Sequence, residues 1–401
     1  MWGSAGGYLR DLFVYLLPVK RLPSFLIRLL YGIEADFAFL VHARNYQDVF
    51  ISAPYLKPIK FFLRKPSAYQ FLASLGPFVV SRVRTSQGVH GIVVGRTLLP
   101  EFFLRNRKRS LLKLAEMIRF ASKITKNGAV VGLGAWFSMF TKRGLAVQGI
   151  AKNVGLRLTN GHMGTLISIY LTLERIASLI DVPLSGLHVA VIGTGKMGEN
   201  VAHALNGKVA SLTLIDIQLT ALEKTRRALL ERGEKTQIKA VLSEVDGRSL
   251  REALKEVHIG ICATSTFRNL LKLRDMPSGF VAIDDSRPEA LPRDPRGERI
   301  ILEGGLLKIK GAVQDYDYGF GENENVFGCL GESFLLAYDG GKTIQPTLGR
   351  VDMLNFERGL ELCRRAGVCE GDFKSSEISV SGQLIKDSIL SRLNAVNNAN
   401  K

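Results

Sequence analysis

Between Leu187 and Asp216 the chain reads LHVAVIGTGKMGENVAHALNGKVASLTLID, and few folds accommodate that order of residues. The apolar run His188 to Ile192 is long enough for one buried strand. Gly193, Gly195 and Gly198 follow at the spacing G-x-G-x-x-G, and Met197, Val201, Ala204 and Leu205 then share one helical face. A second apolar strand, Leu212–Ile215, ends in Asp216. Strand, glycine turn, helix, strand and acid is the succession that a dinucleotide-binding βαβ unit requires. Gly193 permits the tight turn, Gly195 lets the backbone approach a pyrophosphate, and Gly198 lets the helix pack close to the sheet. The helix N-terminus offers N–H groups and partial positive charge to the phosphates.

The expected cofactor cradle is therefore Gly193, Thr194, Gly195, Lys196, Met197, Gly198 and Asp216, with Thr264 from a later strand end. A carboxylate at Asp216 accepts hydrogen bonds from both ribose hydroxyls and repels a 2′-phosphate, which favours NAD(H) over NADP(H). Ile217, Gln218 and Leu219 come next, so no basic residue follows directly, although Lys224, Arg226 and Arg227 lie further on. The bland alternative is a degenerate Rossmann unit kept for packing.

The chain has 401 residues, enough for two or three domains with substantial cores. With 46% hydrophobic and 23% charged residues it is globular rather than disordered. Cys262, Cys329, Cys363 and Cys369 form no disulfide framework, and no histidine near the last two completes a zinc site, so no metal is expected. That usage fits a reducing cytoplasm. The net charge of +17 attracts polyanions. No zinc finger, RNP-type aromatic motif or helix-turn-helix is recognisable, so nucleic acid is not expected. An acidic carrier protein or an anionic membrane surface accounts for the charge more simply.

No charge-free run of 18 apolar residues occurs, hence no transmembrane helix is expected. Residues 8–31 nevertheless set Arg10, Lys20, Arg21 and Arg28 among Leu, Phe and Tyr, and residues 54–66 repeat the mixture in PYLKPIKFFLRKP. Such segments suit interfacial helices on the inner face of an anionic bilayer, or helices whose apolar faces pack on the protein's own core. The early charges argue against a cleaved signal peptide.

The pattern predicts an α/β protein in four parts: a basic amphipathic segment, 1–35; a mixed α/β substrate or acyl-binding domain, 36–165; a Rossmann-type dinucleotide-binding domain, 166–310; and a C-terminal loop with helices, 311–401. Strands are expected at Phe78–Val83, Gly91–Val94, 128–134, Ile259–Ala263, Phe280–Ile283 and Arg299–Leu302. Helices are expected at Ser110–Lys123, Leu166–Ile180, Gly331–Tyr338 and Arg350–Arg364, and the Asn-rich tail Asn394–Lys401 reads as frayed. Ligands of open parallel sheets sit beyond the carboxyl ends of the strands, which gathers Gly193–Gly198, Asp216, Thr264–Thr266 and Asp284–Arg287 around one crevice.

A chemical group is expected from the C-terminal part. Phe327-Gly328-Cys329-Leu330-Gly331-Glu332-Ser333 follows the acidic, glycine-rich loop DYDYGFGENEN and leads into a helix. A thiol at a helix N-terminus is favoured as thiolate by the macrodipole. Near a nicotinamide, a thiolate suits taking an acyl group from a thioester for reduction. From composition alone Cys329 reads as a small buried hydrophobe. Glu322, Glu324 and Glu332 oppose activation if they point at the sulfur.

Several segments, in order, resemble the long-chain acyl-[acyl-carrier-protein] reductases that form fatty aldehydes. The resemblance runs from about Phe37 to Phe373. GRTLLPEFF from Gly95 resembles the family's G-R-x…L-P-E-x-L, and VVGLGAWFSMF from Val130 resembles L-G-G-F-S-S-I. LTNGHMGT from Leu158 resembles T-T-G-N-x-x-T, and ILEGGLLK from Ile301 resembles V-L-N-G-G-I-V. VFGCLGESFLLAY from Val326 resembles F-A-C-F-A-E-A-M-L-L-E-F, whose cysteine is the acylated nucleophile. The resemblance implies that Cys329 is that nucleophile, and it aligns Glu332 with a carboxylate of unassigned duty. The phosphate loop differs, GTGKMG against the family's G-A-T-G-x-I-G. Asp216-Ile217 stands where the family, which prefers NADPH, carries a basic residue. DDSRPEA from Asp284 replaces D-G-G-Y-P-K-N, putting Glu289 where the family has lysine, and His162 lies close to the family's histidine without aligning.

The resemblance implies an NAD(P)H-dependent reductase that takes the acyl group of acyl-ACP or acyl-CoA onto Cys329 and releases an aldehyde. His162 and Ser265 are the candidate acid or base, and the N–H groups at the start of the Cys329 helix are candidates for the oxyanion. Phe61, Phe62, Phe78, Phe102, Phe103, Trp136, Phe137 and Phe140 could line an acyl tunnel or be ordinary core. Two alternatives stand beside this reading: an NAD-dependent dehydrogenase without covalent catalysis, and a non-catalytic nucleotide- or lipid-binding protein. An oligomer is compatible with the sequence.

Overall fold

The computed structural model describes residues 5–17, 22–32, 34–43, 45–52, 56–58, 65–134, 136–266, 269–286, 288–294, 297–316 and 322–399. The chain divides into two compact units, one of residues 1–164 with 309–368, the other of residues 165–308 with 369–401.

The first unit is built on strands β1 (Ala35–His42), β2 (Phe78–Arg84), β3 (His90–Arg96), β4 (Thr125–Leu133) and β5 (Arg157–Thr159). A short edge strand, Val313–Gln314, completes a sheet in the order edge-β2-β3-β1-β4-β5. β3, β1, β4 and β5 run parallel, whereas β2 is antiparallel to β3 and to the edge strand. β1, ADFAFLVH, is buried on both faces, which is why it reads as a near-continuous apolar run instead of alternating. The helix Arg107–Ile124 buries Leu114, Met117, Ile118 and Ala121, one stripe at helical spacing. The helix Gly328–Asp339 packs on β4 and β1. Its approach depends on Gly132, where a Cβ would lie 2.0 Å from Ser333 Oγ.

The second unit holds β6 (His188–Ile192), β7 (Ser211–Asp216), β8 (Gln237–Leu242), β9 (Ile259–Cys262), β10 (Val281–Asp284) and β11 (Ile300–Glu303). All six strands are parallel, in the order β11-β10-β9-β6-β7-β8. Counted from β6 this is 6-5-4-1-2-3, the doubly wound Rossmann-type order, and the direction of winding reverses between β6 and β9. The helices Lys196–Leu205, Leu219–Leu230 and Arg248–Leu254 provide the first three crossovers. β8 lies at the edge and is only half-buried, so it carries too weak an apolar signal to be read from sequence.

The stretch expected as one C-terminal part, 311–401, is shared between the two units. Residues 309–368 belong to the first because the helix Gly328–Asp339 buries nearly its whole surface there, including Phe334, Leu335 and Leu336. The tail belongs to the second. The expected frayed end is corrected too: the helix Gly382–Ala399 continues through Asn394 because Ile385, Ile389, Leu393 and Val396 are buried on one side. Arg392 fastens it by donating to the carbonyls of Val257 (3.0 Å) and Leu254 (2.7 Å).

At the other end, the helices Ala5–Leu16 and Ser24–Tyr31 are joined through a buried carboxylate. Asp11 accepts from Tyr31 Oη (3.0 Å), from the Val79 N–H of β2 (2.7 Å) and from Arg10 (2.8 Å). Lys123 closes the first helix by donating to the carbonyls of Val14, Tyr15 and Leu17. Of the second basic segment, 54–66, most lies outside the described residues.

Candidate functional site

Two constellations carry the residues singled out by sequence, one in each unit. In the second unit the three glycines occupy three different environments. Gly193 has φ +91°, and a Cβ there would meet Thr264 Cγ2 at 2.7 Å and the Ala263 carbonyl at 2.9 Å. At Gly198 a Cβ would lie 1.8 Å from the Gly193 carbonyl oxygen, so helix and turn touch backbone to backbone. Gly195 is exposed, and nothing lies within 4 Å of where its Cβ would stand. Only the middle glycine faces open space, at the N-terminus of the helix Lys196–Leu205.

Asp216 is tied into the same turn. Its Oδ2 accepts the Thr194 N–H (2.6 Å) and hydroxyl (2.8 Å), and its Oδ1 accepts the Gln218 N–H (2.9 Å). The acid therefore shapes the turn, a structural duty that the motif does not announce. Lys196 and Lys224 both reach the buried carboxylate of Glu199, at 2.7 and 3.3 Å. Met197 is half-buried beside them. Thr264 packs its methyl near Gly193 and donates its N–H to Ser286 Oγ (3.0 Å), while Ser265 is exposed. Asp284, expected at the crevice, is instead fully buried and accepts the N–H groups of Ser286, Ala290 and Leu291. It is a loop anchor. Arg287 lies outside the described residues.

In the first unit, the carboxyl ends of β1, β4 and β5 share one edge of the sheet, and two helices start there. The helix His162–Leu179 begins two residues after Asn160, whose Oδ1 accepts the His162 N–H (2.9 Å). The helix Gly328–Asp339 places Cys329 second in its first turn, half-buried. Gly161, with φ +77°, lies directly against the cysteine: a Cβ there would be 2.2 Å from Cys329 Cβ. A Cβ at Gly164 would be 2.0 Å from the Gly328 carbonyl oxygen. Two helix N-termini thus converge on Cys329, and only glycines allow it.

Glu332 holds that convergence. Its carboxylate is fully buried and accepts from the Thr159 hydroxyl, the Gly164 N–H (2.9 Å) and the Thr347 N–H (3.1 Å). Burial raises its pKa, opposed by those hydrogen bonds. One acid therefore caps a neighbouring helix and ties three chain segments together.

His162 directs Nε2 to Ser138 Oγ (2.9 Å), and its Nδ1 is buried without a hydrogen-bond partner. Burial, with the nearby Arg143 charge, lowers its pKa to about 4, so the ring is neutral at neutral pH. His42, at the end of β1, was not singled out by sequence. It sets Nδ1 2.9 Å from the Ala43 carbonyl, accepts the Trp136 N–H at Nε2 (3.3 Å), and packs against Phe103 and Phe137. Burial lowers it to about 4 as well. A lone histidine ending an apolar strand was its only sequence signal.

Phe78, Phe103 and Phe137 are buried core residues, and Phe102, Trp136 and Phe140 are half-buried against the same core. Phe61 and Phe62 lie outside the described residues. Among the described residues no cluster of His, Cys, Asp and Glu could hold a metal ion, and no helix is long and apolar enough to cross a membrane.

No family model matches the chain, and no curated protein matches it. Solved structures do. A dipicolinate synthase subunit from Bacillus halodurans is 19% identical over 43% of this chain and 56% of its own, with a TM-score of 0.27. The nucleotide-binding domain of glutamyl-tRNA reductase from Thermoplasma volcanium is 17% identical over 34% of this chain and 84% of its own, with a TM-score of 0.25. An L-alanine dehydrogenase is 12% identical over 68% of this chain and 78% of its own, with a TM-score of 0.30. This chain thus spans little more than half of the dipicolinate synthase protein.

Proposed function

We propose that this protein is an NAD(P)H-dependent oxidoreductase, and that it reduces an acyl thioester to an aldehyde through an acyl group carried on Cys329. The observation that supports the covalent reading is the meeting of two helix N-termini at that cysteine, with Gly161 leaving no space for any side chain beside it.

The residues of the glycine turn fit a dinucleotide. Gly195 leaves its side open, the helix behind it presents N–H groups, and Asp216 ends the second strand. NAD(P)H bound there supplies the hydride that acyl reduction consumes. Asp216 favours NADH, and the pairing of Lys196 and Lys224 with Glu199 leaves those cations committed to an acid.

The rest falls to the chain's own side chains. The Cys329 thiolate attacks the thioester carbonyl; a carbon–sulfur bond forms, the donor thiol leaves, and an acyl-cysteine remains. The carbonyl oxygen gains negative charge in that step. N–H groups of the first turn of the helix Gly328–Asp339 are the donors that stabilise it. His162 enters the reaction uncharged, with Ser138 fixing one nitrogen, and is the proton-handling residue of this reading. Glu332 positions the cysteine through the chain segments it ties. The donor is acyl-ACP or acyl-CoA, and the +17 charge suits an acidic carrier met in the cytoplasm.

The test is mass spectrometry of the protein mixed with acyl-CoA and no reductant. The expected result is one acyl increment on the peptide carrying Cys329, absent in Cys329→Ala. A Cys329→Ala variant that oxidises NADH with acyl-CoA at the native rate would replace the covalent reading with a dehydrogenase that needs no nucleophile. A protein that binds NADH but never oxidises it with any thioester would be a nucleotide-binding protein.

A further inference from the structure

The two N-terminal helices bury one face and carry large apolar side chains on the other. The helix Ala5–Leu16 buries Gly7, Asp11 and Val14, and leaves Leu9, Phe13 and Leu16 exposed at 64, 54 and 70%. The exposed set repeats the i, i+4, i+7 spacing of the buried set, shifted by two residues, which is roughly 200° around the helix. The helix Ser24–Tyr31 does the same: Ile27 and Tyr31 are buried, while Phe25 and Leu29 are 65 and 78% exposed. The inward faces are secured, since Asp11 binds Tyr31 and the Val79 N–H of β2. Five large apolar side chains therefore remain outside on a pair of helices that already have their core contacts. A soluble monomer rarely leaves so many large apolar groups in water.

The charge on this segment selects the environment. Residues 1–31 carry Arg10, Lys20, Arg21 and Arg28 against the single acid Asp11, and Asp11 is buried and paired with Arg10. Among the described residues no helix is long and apolar enough to cross a membrane. We propose that the outward faces of Ala5–Leu16 and Ser24–Tyr31 dock this protein on an anionic lipid bilayer. Leu9, Phe13, Leu16, Phe25 and Leu29 enter the headgroup–acyl boundary, and the net positive charge of residues 1–31 favours anionic lipid. A bilayer accepts an irregular apolar stripe without a matching groove, which favours it over an acidic protein partner. The inference stands apart from the catalytic reading, because vesicle binding requires no turnover.

The experiment is flotation with phosphatidylcholine vesicles, with and without phosphatidylglycerol. The full chain should float with the anionic vesicles, less so in high salt, and only weakly with phosphatidylcholine alone. A Phe13→Gln/Leu16→Gln double variant should lose vesicle affinity by about 100-fold, with an unchanged melting temperature, whereas Leu230→Gln, another exposed leucine, should float like the parent. Phe13→Trp gives a second measure: its added emission should shift to the blue with anionic vesicles. Three results overturn the proposal: no flotation of the parent, undiminished flotation of the double variant, or an added tryptophan signal that vesicles leave unmoved. A change of oligomeric state or of acyl-carrier binding in the double variant, without loss of flotation, would assign the face to a protein partner instead.

Discussion

The glycine turn of the second unit and the Cys329 cluster of the first use the same parts for opposite ends. Each sets glycines at the N-terminus of a helix beyond the carboxyl end of a parallel strand. At the turn, the middle glycine opens onto empty space, with no protein atom within 4 Å of where its side chain would stand. At the cluster, the space above Gly132, Gly161 and Gly164 is filled by Ser333, Cys329 and Gly328. There the missing side chains make room for the protein itself. The first arrangement is open and local; the second is packed and drawn from segments around residues 132, 160, 330 and 347. A glycine motif therefore does not declare its use until its neighbours are known.

Substitution should separate the two most sharply at Gly161 and Gly195. Gly161→Ala places a Cβ on Cys329 at a left-handed φ, and should cost about 3 kcal/mol or more in denaturant unfolding. Gly195→Ala meets no atom at an ordinary φ of −60°, so stability should change by less than about 1 kcal/mol. NADH affinity, followed by fluorescence titration, should nonetheless fall about tenfold or more. Equal stability losses at the two positions would erase the distinction.

Removing the tie at Glu332 comes close behind. Glu332→Ala leaves buried N–H groups of Gly164 and Thr347 without their acceptor, at a cost of about 2–4 kcal/mol. Glu332→Gln keeps one carbonyl acceptor and should recover part of the loss. If both variants unfold at the parent's denaturant midpoint, the carboxylate is not what holds the helices together.

Acid should act on the first unit through His42 and His162. Both fall from an ordinary 6.5 to about 4 on folding. Between those values the unfolded chain binds protons that the folded protein does not, so stability is present above about pH 6.5 and drains away as pH falls toward 4. The two rings together should cost about 2–5 kcal/mol across that window. Unfolding midpoints at pH 7 and pH 4.5, for the parent and for His162→Asn, check the sign; a stability that rises on acidification contradicts it.

The smallest effect sharpens the cofactor reading. Asp216→Ala removes the acceptor of the Thr194 and Gln218 N–H groups, loosening the turn by about 1 kcal/mol. The ratio of NADH to NADPH affinity should drop about tenfold. An unaltered ratio means that Asp216 serves the turn alone.

Much of the second unit was legible because its signals are local. β6, its glycine turn, the following helix and β7 stand in one continuous stretch, and each buried strand reads as an apolar run. β8 escaped because an edge strand buries too little to show. β1 and β5 of the first unit, His42, and the Thr159–Glu332–Thr347 tie were not singled out. The strands that β1 pairs with, the Trp136 N–H that His42 accepts and the members of the tie lie far apart in the chain. The expected C-terminal part failed for a related reason: the helix Gly328–Asp339 is apolar on nearly every side, and apolarity alone does not say which sheet will cover it. The aromatic residues offered as a tunnel wall show the same limit, since Phe103 and Phe137 are core and composition cannot tell the two apart.

By itself the amino-acid order determined a βαβ unit with three glycines in three roles, because a missing Cβ and its dihedral freedom are properties of a single residue. It also determined a basic, apolar N-terminus. The tertiary structure alone decided that Glu332 caps another helix, that Gly161 yields its space to Cys329, and that residues 309–368 belong with the first sheet. Those outcomes rest on close packing between segments far apart in the chain, and packing energy depends on which surfaces meet, which no local stretch of sequence contains.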